Sequence, residues 1–169
     1  METVKITFPA AIYAEIRAHL LQPEGTEDAA FVFCNYEANG ASAEFALVDW
    51  LAVETFDCVA RSAHYLELKD ELRARVIKRA HDLGASLVEI HSHRSRLPAM
   101  FSASDFSGFA DFVPHVWWRL KGRPYAAVVV AEDSVDGLAW LHGPDDPQPI
   151  TAIVAGAGLL QSTGHSLRG

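Results

Sequence analysis

Two histidines and an aspartate stand out in this chain by their spacing. The segment Glu89-Ile90-His91-Ser92-His93 is followed, after eight residues, by Ser102-Ala103-Ser104-Asp105. Side chains two apart on an extended chain point to the same side. His91 and His93, at the end of a strand, can therefore converge on one ion. Asp105 opens the next element, and a return of the chain there brings its carboxylate to the same point. Two imidazoles and one carboxylate make a three-ligand zinc site whose fourth position stays open to water, as catalytic sites require. Among divalent ions that donor set suits zinc best. A plainer reading stands beside this one. Ser102-x-x-Asp105 is also a helix N-terminus, with Ser102 as cap and Asp105 favourably placed against the helix dipole. The two are compatible, because a helix start would hold Asp105 in place as a ligand.

Several elements must position these residues. Val4, Ile6 and Phe8 alternate as a first strand. Pro9 opens a helix bearing Ile12, Ile16 and Leu20. Residues 29–36 and 43–53 read as strands joined by a hairpin at Asn39-Gly40. Residues 54–65 read as a loop, and residues 66–83 as a helix with Leu68, Leu72, Val76, Ala80 and Leu83 inward, stopped by Gly84. The apolar run 85–90 predicts a buried central strand delivering the His pair. Phe106, Phe109, Ala110 and Val113 predict a helix after the metal loop, and residues 125–131, 137–141 and 150–155 predict three more strands. The expected fold class is α/β in the α+β sense, with a mixed, mostly antiparallel sheet flanked by helices. The expected division is a domain over 1–157 and a flexible, Gly- and Ser-rich tail over 158–169.

Composition narrows the classes of function. The chain has 169 residues, 50% of them hydrophobic, which suits one globular domain and excludes a disordered chain. Fourteen basic against 22 acidic residues give a net charge of −8, which argues against nucleic acid as a partner. Two cysteines, Cys34 and Cys58, exclude a disulfide scaffold and read as free thiols. No secretory signal and no long apolar run is present, so the expected location is the cytoplasm, with no membrane contact.

At Glu27, His91-Ser92-His93, Ser102 and Asp105 the sequence resembles the JAB/MPN zinc metalloproteases, or JAMM family. Their signature is a distant Glu, then His-Ser/Thr-His and, after a spacer, Ser-x-x-Asp. Glu27-Asp28-Ala29-Ala30 ahead of an apolar strand matches the upstream part, with Ala30 where a Gly is usual. The spacer after His93 is one residue longer than the pattern, and Arg94 stands where a Pro is common. The extra residue leaves open whether Ser102 or Ser104 faces the metal water. The order of elements fits the family along nearly the whole chain.

The resemblance implies a JAB/MPN-like, cytidine-deaminase-like fold. It also implies one zinc ion on His91, His93 and Asp105, with Glu27 as general base and Ser102 as oxyanion donor. Glu24 and Asp28 are rival carboxylates, and position in the family pattern selects Glu27. The implied reaction is hydrolysis of a peptide or isopeptide bond after the C-terminal tail of a ubiquitin-like protein. Residues 106–125, including Trp117-Trp118-Arg119, look like bacterial, deubiquitinase-like members. Those are often encoded beside ubiquitin-activating and conjugating homologues, including antiviral operons, so homologues of those enzymes are expected partners. The alternatives are a peptidase that processes sulfur-carrier proteins and a non-catalytic scaffold. Glu89 is read as a neighbour of the site, and His64, His81, His115, His142 and His165 as ordinary.

Overall fold

Alternation along single strands decides the layers. The computed structural model describes residues 2–167. In β2 (Ala29–Asn39), Ala29, Phe31 and Phe33 enter one apolar core while Ala30, Val32 and Cys34 enter another on the opposite face. The same split runs through β6 (Ser86–Ser92), where Leu87 faces the first core and Val88 and Ile90 the second. A strand apolar on both faces needs a cover on each. The helix α1 (Ala10–Leu20) covers the second core with Tyr13, Ile16 and Leu20. The first core is covered by α2 (Asp70–Leu83) and α3 (Ala103–Arg119), through Leu72, Val76, Phe109, Val113 and Val116 among others.

The remaining strands are β1 (Thr3–Phe8), β3 (Ser42–Ala52), β4 (Cys58–Arg61), β5 (Leu66–Leu68), β7 (Tyr125–Val130), β8 (Val135–Trp140), β9 (Pro147–Pro149), β10 (Ala152–Ala155) and β11 (Gly158–Gln161). Of the eleven described strands, nine form one sheet in the order β11-β10-β1-β3-β2-β6-β7-β8-β9, and β4 and β5 pair apart from it. The β1–β3, β1–β10 and β6–β7 pairs are parallel, and the other neighbours are antiparallel. A further bridge between Val135 and Ser162 shows the sheet curling, so that the chain after β11 meets β8. The mixed, mostly antiparallel α+β class is as expected.

Three expectations are corrected. The stretch 54–65 is not all loop, and the helix does not begin at 66. A short 3-10 turn (Thr55–Asp57) leads into β4, and Leu66-Glu67-Leu68 pairs with it as β5. The Leu-Glu-Leu alternation has strand period, which the longer helical pattern behind it hid. Consequently α2 starts at Asp70, and Leu83 is exposed beyond the packed stripe. Phe106 and Ala110 of α3 also face outward, and Phe112 and Val116 take the inner positions.

The third correction concerns the tail expected over 158–169. Gly158–Gln161 pairs antiparallel with β10 as an edge strand. Beyond it, buried Asp136 accepts from the backbone N–H groups of Gly164 and Ser166 at 3.1 and 2.9 Å, fastening the segment to β8. Gly and Ser content lowers intrinsic order, but these paired backbone groups outweigh it. Residues 168 and 169 lie outside the described residues. Among the described residues, no helix is long and apolar enough to cross a membrane.

Candidate metal centre

The central strand aims the histidines. β6 pairs with β2 on one side and β7 on the other. Past its end the His93 N–H still donates to the Val130 carbonyl at 3.0 Å. The extended path therefore continues through His93, and the two imidazoles stay on one face. Their Nε2 atoms lie 3.3 Å apart. The ring of Phe101 backs His91, with centroids 5.6 Å apart.

The helix start delivers the carboxylate. Ser102 is the N-cap of α3: its Oγ accepts from the Asp105 N–H at 3.2 Å, and Asp105 Oδ2 accepts from the Ser102 N–H at 2.8 Å. This reciprocal capping satisfies two end-of-helix donors and fixes the Asp105 rotamer. Asp105 Oδ1 then stands 3.3 Å from His91 Nε2, and Oδ2 stands 3.1 Å from His93 Nε2. The carboxylate that completes the capping box is thus also the one that faces both histidines. His91, His93 and Asp105 can together hold a metal ion.

Glu27 approaches from the other side. It lies two residues before β2, in phase with Ala29 and Phe31, and its Oε1 is 3.9 Å from His93 Nε2. Of its rivals, Glu24 is exposed. Asp28 is buried on the opposite face, its Oδ1 paired with Arg61 at 2.7 Å. Burial raises the pKa of Glu27, opposed by the charges of His91 and His93. For His91, burial works against charge, but the hydrogen bond and charge of Asp105 outweigh it and raise its pKa. Burial likewise opposes ionised Asp105, and its hydrogen bonds with His91 and His93 hold it far below the usual carboxylate range.

One cavity opens at this cluster. Glu27, His91 and Asp105 line it, with Ser102, Ser104 and the half-buried Glu89. The Ser102 hydroxyl is spent on Asp105 Oδ2, at 2.9 Å. Burial raises the pKa of Glu89, which faces the cavity beside Arg73 and Tyr125.

A similar fold is known. The solution structure of protein DSY2949 from Desulfitobacterium hafniense aligns over 95% of this chain and 97% of its own, with a TM-score of 0.56. At 16% identity the likeness shows a shared fold and nothing finer. No family model matches the chain, and no curated protein matches it.

Sequence reasoning brought five residues to one place: Glu27, His91, His93, Ser102 and Asp105. His64, read as ordinary, lines the same cavity. Sequence reasoning missed Arg61 and the hydroxyl of Ser92, both of which reach the backbone beside Glu27. No local signal marks Arg61, whose partners around Glu27 lie more than thirty residues earlier. Ser92 was visible only as the residue between two histidines. Cys34 is fully buried, and desolvation pushes its thiol far up, which leaves it no role as a nucleophile. Trp117 packs against the first core, while Trp118 is 73% exposed with Arg119 over its ring.

Proposed function

We propose that this chain is a zinc-dependent peptidase or isopeptidase of the JAB/MPN type, acting on the bond after the C-terminal tail of a ubiquitin-like protein. One observation carries the reading: two imidazole nitrogens and a carboxylate converge, with a second, partly buried carboxylate beside them. Zinc–nitrogen bonds of about 2.0–2.1 Å in a tetrahedron place ligand atoms about 3.3–3.4 Å apart. The 3.3 Å between the two Nε2 atoms matches that spacing, and Asp105 brings Oδ1 to 3.3 Å from His91 Nε2 and Oδ2 to 3.1 Å from His93 Nε2. Bound there, zinc would supply a water whose pKa is lowered toward neutrality.

The chain's own groups account for the remaining chemistry. In this reading Glu27, partly buried with Oε1 3.9 Å from His93 Nε2, takes a proton from the attacking water and returns it to the leaving amine. Ser102 donates to the developing oxyanion once its hydroxyl turns from Asp105, a contribution of about 3–4 kcal/mol for such donors. Ser104 lines the same cavity and is the rival donor. The substrate class, a bacterial source, a place in conjugation or antiviral operons with activating and conjugating homologues, and a cytoplasmic location all rest on the resemblance. So does the sulfur-carrier alternative. The intact ligand set favours a peptidase over a scaffold.

The test is cleavage of a panel of ubiquitin-like and sulfur-carrier fusions, with zinc content measured on the same samples. One zinc per chain and cleavage that Glu27→Ala abolishes while zinc stays is the expected result. A folded protein with neither zinc nor cleavage contradicts the reading and returns the scaffold.

A further inference from the structure

Glu27 has no regular element to hold it. Residues 25–28 belong to neither a helix nor a strand, so their position depends on side chains and single backbone bonds. The Arg61 guanidinium, at the end of β4, reaches all three residues around the base. Its Nε donates to the Glu27 carbonyl at 3.2 Å, and its Nη2 reaches Thr26 Oγ1 and Asp28 Oδ1, each at 2.7 Å. Nη1 donates to Thr55 Oγ1 at 2.8 Å, which fixes the guanidinium from behind. Next to Arg61, the Ser62 carbonyl accepts from the Glu27 N–H at 2.8 Å. On the other side, Ser92 Oγ accepts from the Asp28 N–H at 3.0 Å, and Ser92 sits between the two histidines.

We propose that Arg61 is a positioning residue that holds Glu27 against the metal site, with Ser92 as the opposing hold. The proposal rests on reading Glu27 as the general base. Arg61 touches no reacting atom. It acts by fixing where the Glu27 backbone lies, and hence where the carboxylate points. Only a planar fork of N–H donors can serve a carbonyl, a hydroxyl and a carboxylate on successive residues at once. A lysine can keep the charge partner of buried Asp28 but cannot make the other bonds. Small displacements of a base are costly to rate, because productive geometry tolerates little error. The same arginine ties the β4–β5 hairpin, whose Leu66 and Leu68 line the cavity, to the base segment.

Arg61→Lys is the working variant, because it keeps a cation beside buried Asp28. It is expected to bind one zinc with wild-type affinity and to keep KM within a few-fold. Its kcat should fall about 10- to 100-fold, the usual scale for residues supporting a site. In a Glu27→Gln background the same substitution should cost no further rate, because the group it positions is gone. Amide exchange supplies a readout that needs no substrate: the Glu27 and Asp28 amides should exchange faster in Arg61→Lys, while those of residues 88–91 keep their rates. Unchanged kcat, a full further loss in the Glu27→Gln background, or unchanged exchange at Glu27 and Asp28 would overturn the proposal. If wild type neither binds zinc nor cleaves, the peptidase reading fails, and the exchange result alone decides whether Arg61 holds this segment.

Discussion

The two sides of the site are built by different means. On the ligand side, regular structure does the positioning: β6, paired on both edges, aims His91 and His93, and the capping box of α3 aims Asp105. On the base side, an irregular segment is held by the guanidinium of Arg61 and the hydroxyl of Ser92. Their electrostatics differ too. His91 and Asp105 each stabilise the other's charged form, while burial pushes Glu27 toward its neutral one. On the proposed reading, a site made this way can keep its metal while its base is moved or lost. Metal binding and catalysis should therefore separate under mutation.

The largest expected effect comes from the ligand side. Asp105→Asn removes the anionic ligand and one half of the α3 cap, so both bound zinc and hydrolysis should fall to background. Metal analysis of the purified variant checks this, and retained zinc would break the comparison. Next, Glu27→Gln should keep one zinc and lose about 10²- to 10⁴-fold in kcat, the range for general-base removal, measured on the best fusion substrate.

A smaller effect is expected further from the metal. Phe101, whose ring backs His91, donates its N–H to buried Ser166 Oγ at 3.0 Å. Ser166→Ala leaves that N–H unsatisfied and should cost about 1–3 kcal/mol in denaturant unfolding. The loss would sharpen the picture of a ligand side braced from behind by the C-terminal segment.

The smallest effects lie in the pH dependence of the metal-free protein. His91 has a raised folded pKa, so its contribution is fully present below the ordinary imidazole value of about 6.5 and is lost as pH rises through the raised value. Asp105 has a lowered one, so its contribution is present above the ordinary value of about 3.9 and is lost as pH falls. The pair should support the fold best between about pH 4 and 6.5, and His91→Gln should flatten that window in thermal unfolding. Glu27 behaves in the opposite sense to Asp105. Its raised pKa favours the fold at acid pH, and that contribution is lost as pH rises through the folded value. Metal-free Glu27→Gln should therefore be slightly more stable than wild type at neutral pH and equal to it near pH 3.

The contrast also explains what could be read from the sequence. His-x-His and Ser-x-x-Asp work because they are local: strand alternation and helix capping act over two or three residues, so their spacing shows in the chain. The burial of β6 on both faces was legible in its apolar run, whereas β2 was read only as a strand of the hairpin. Glu27 was reached through a family pattern, because nothing within a few residues of it says that its segment returns to His93. Arg61 was not legible at all. It sits in a stretch read as loop, and its value comes from residues 26–28, brought close only by folding. The tail misled in the reverse direction, since Gly and Ser at 156–164 report weak local preference but not the edge of β10 that receives them.

The most direct test is native mass spectrometry of wild type, Glu27→Gln and Asp105→Asn, prepared side by side with equal zinc. Separable sides require one zinc in the first two and none in the third. Zinc missing from wild type, zinc lost with Glu27, or zinc retained without Asp105 would contradict that arrangement.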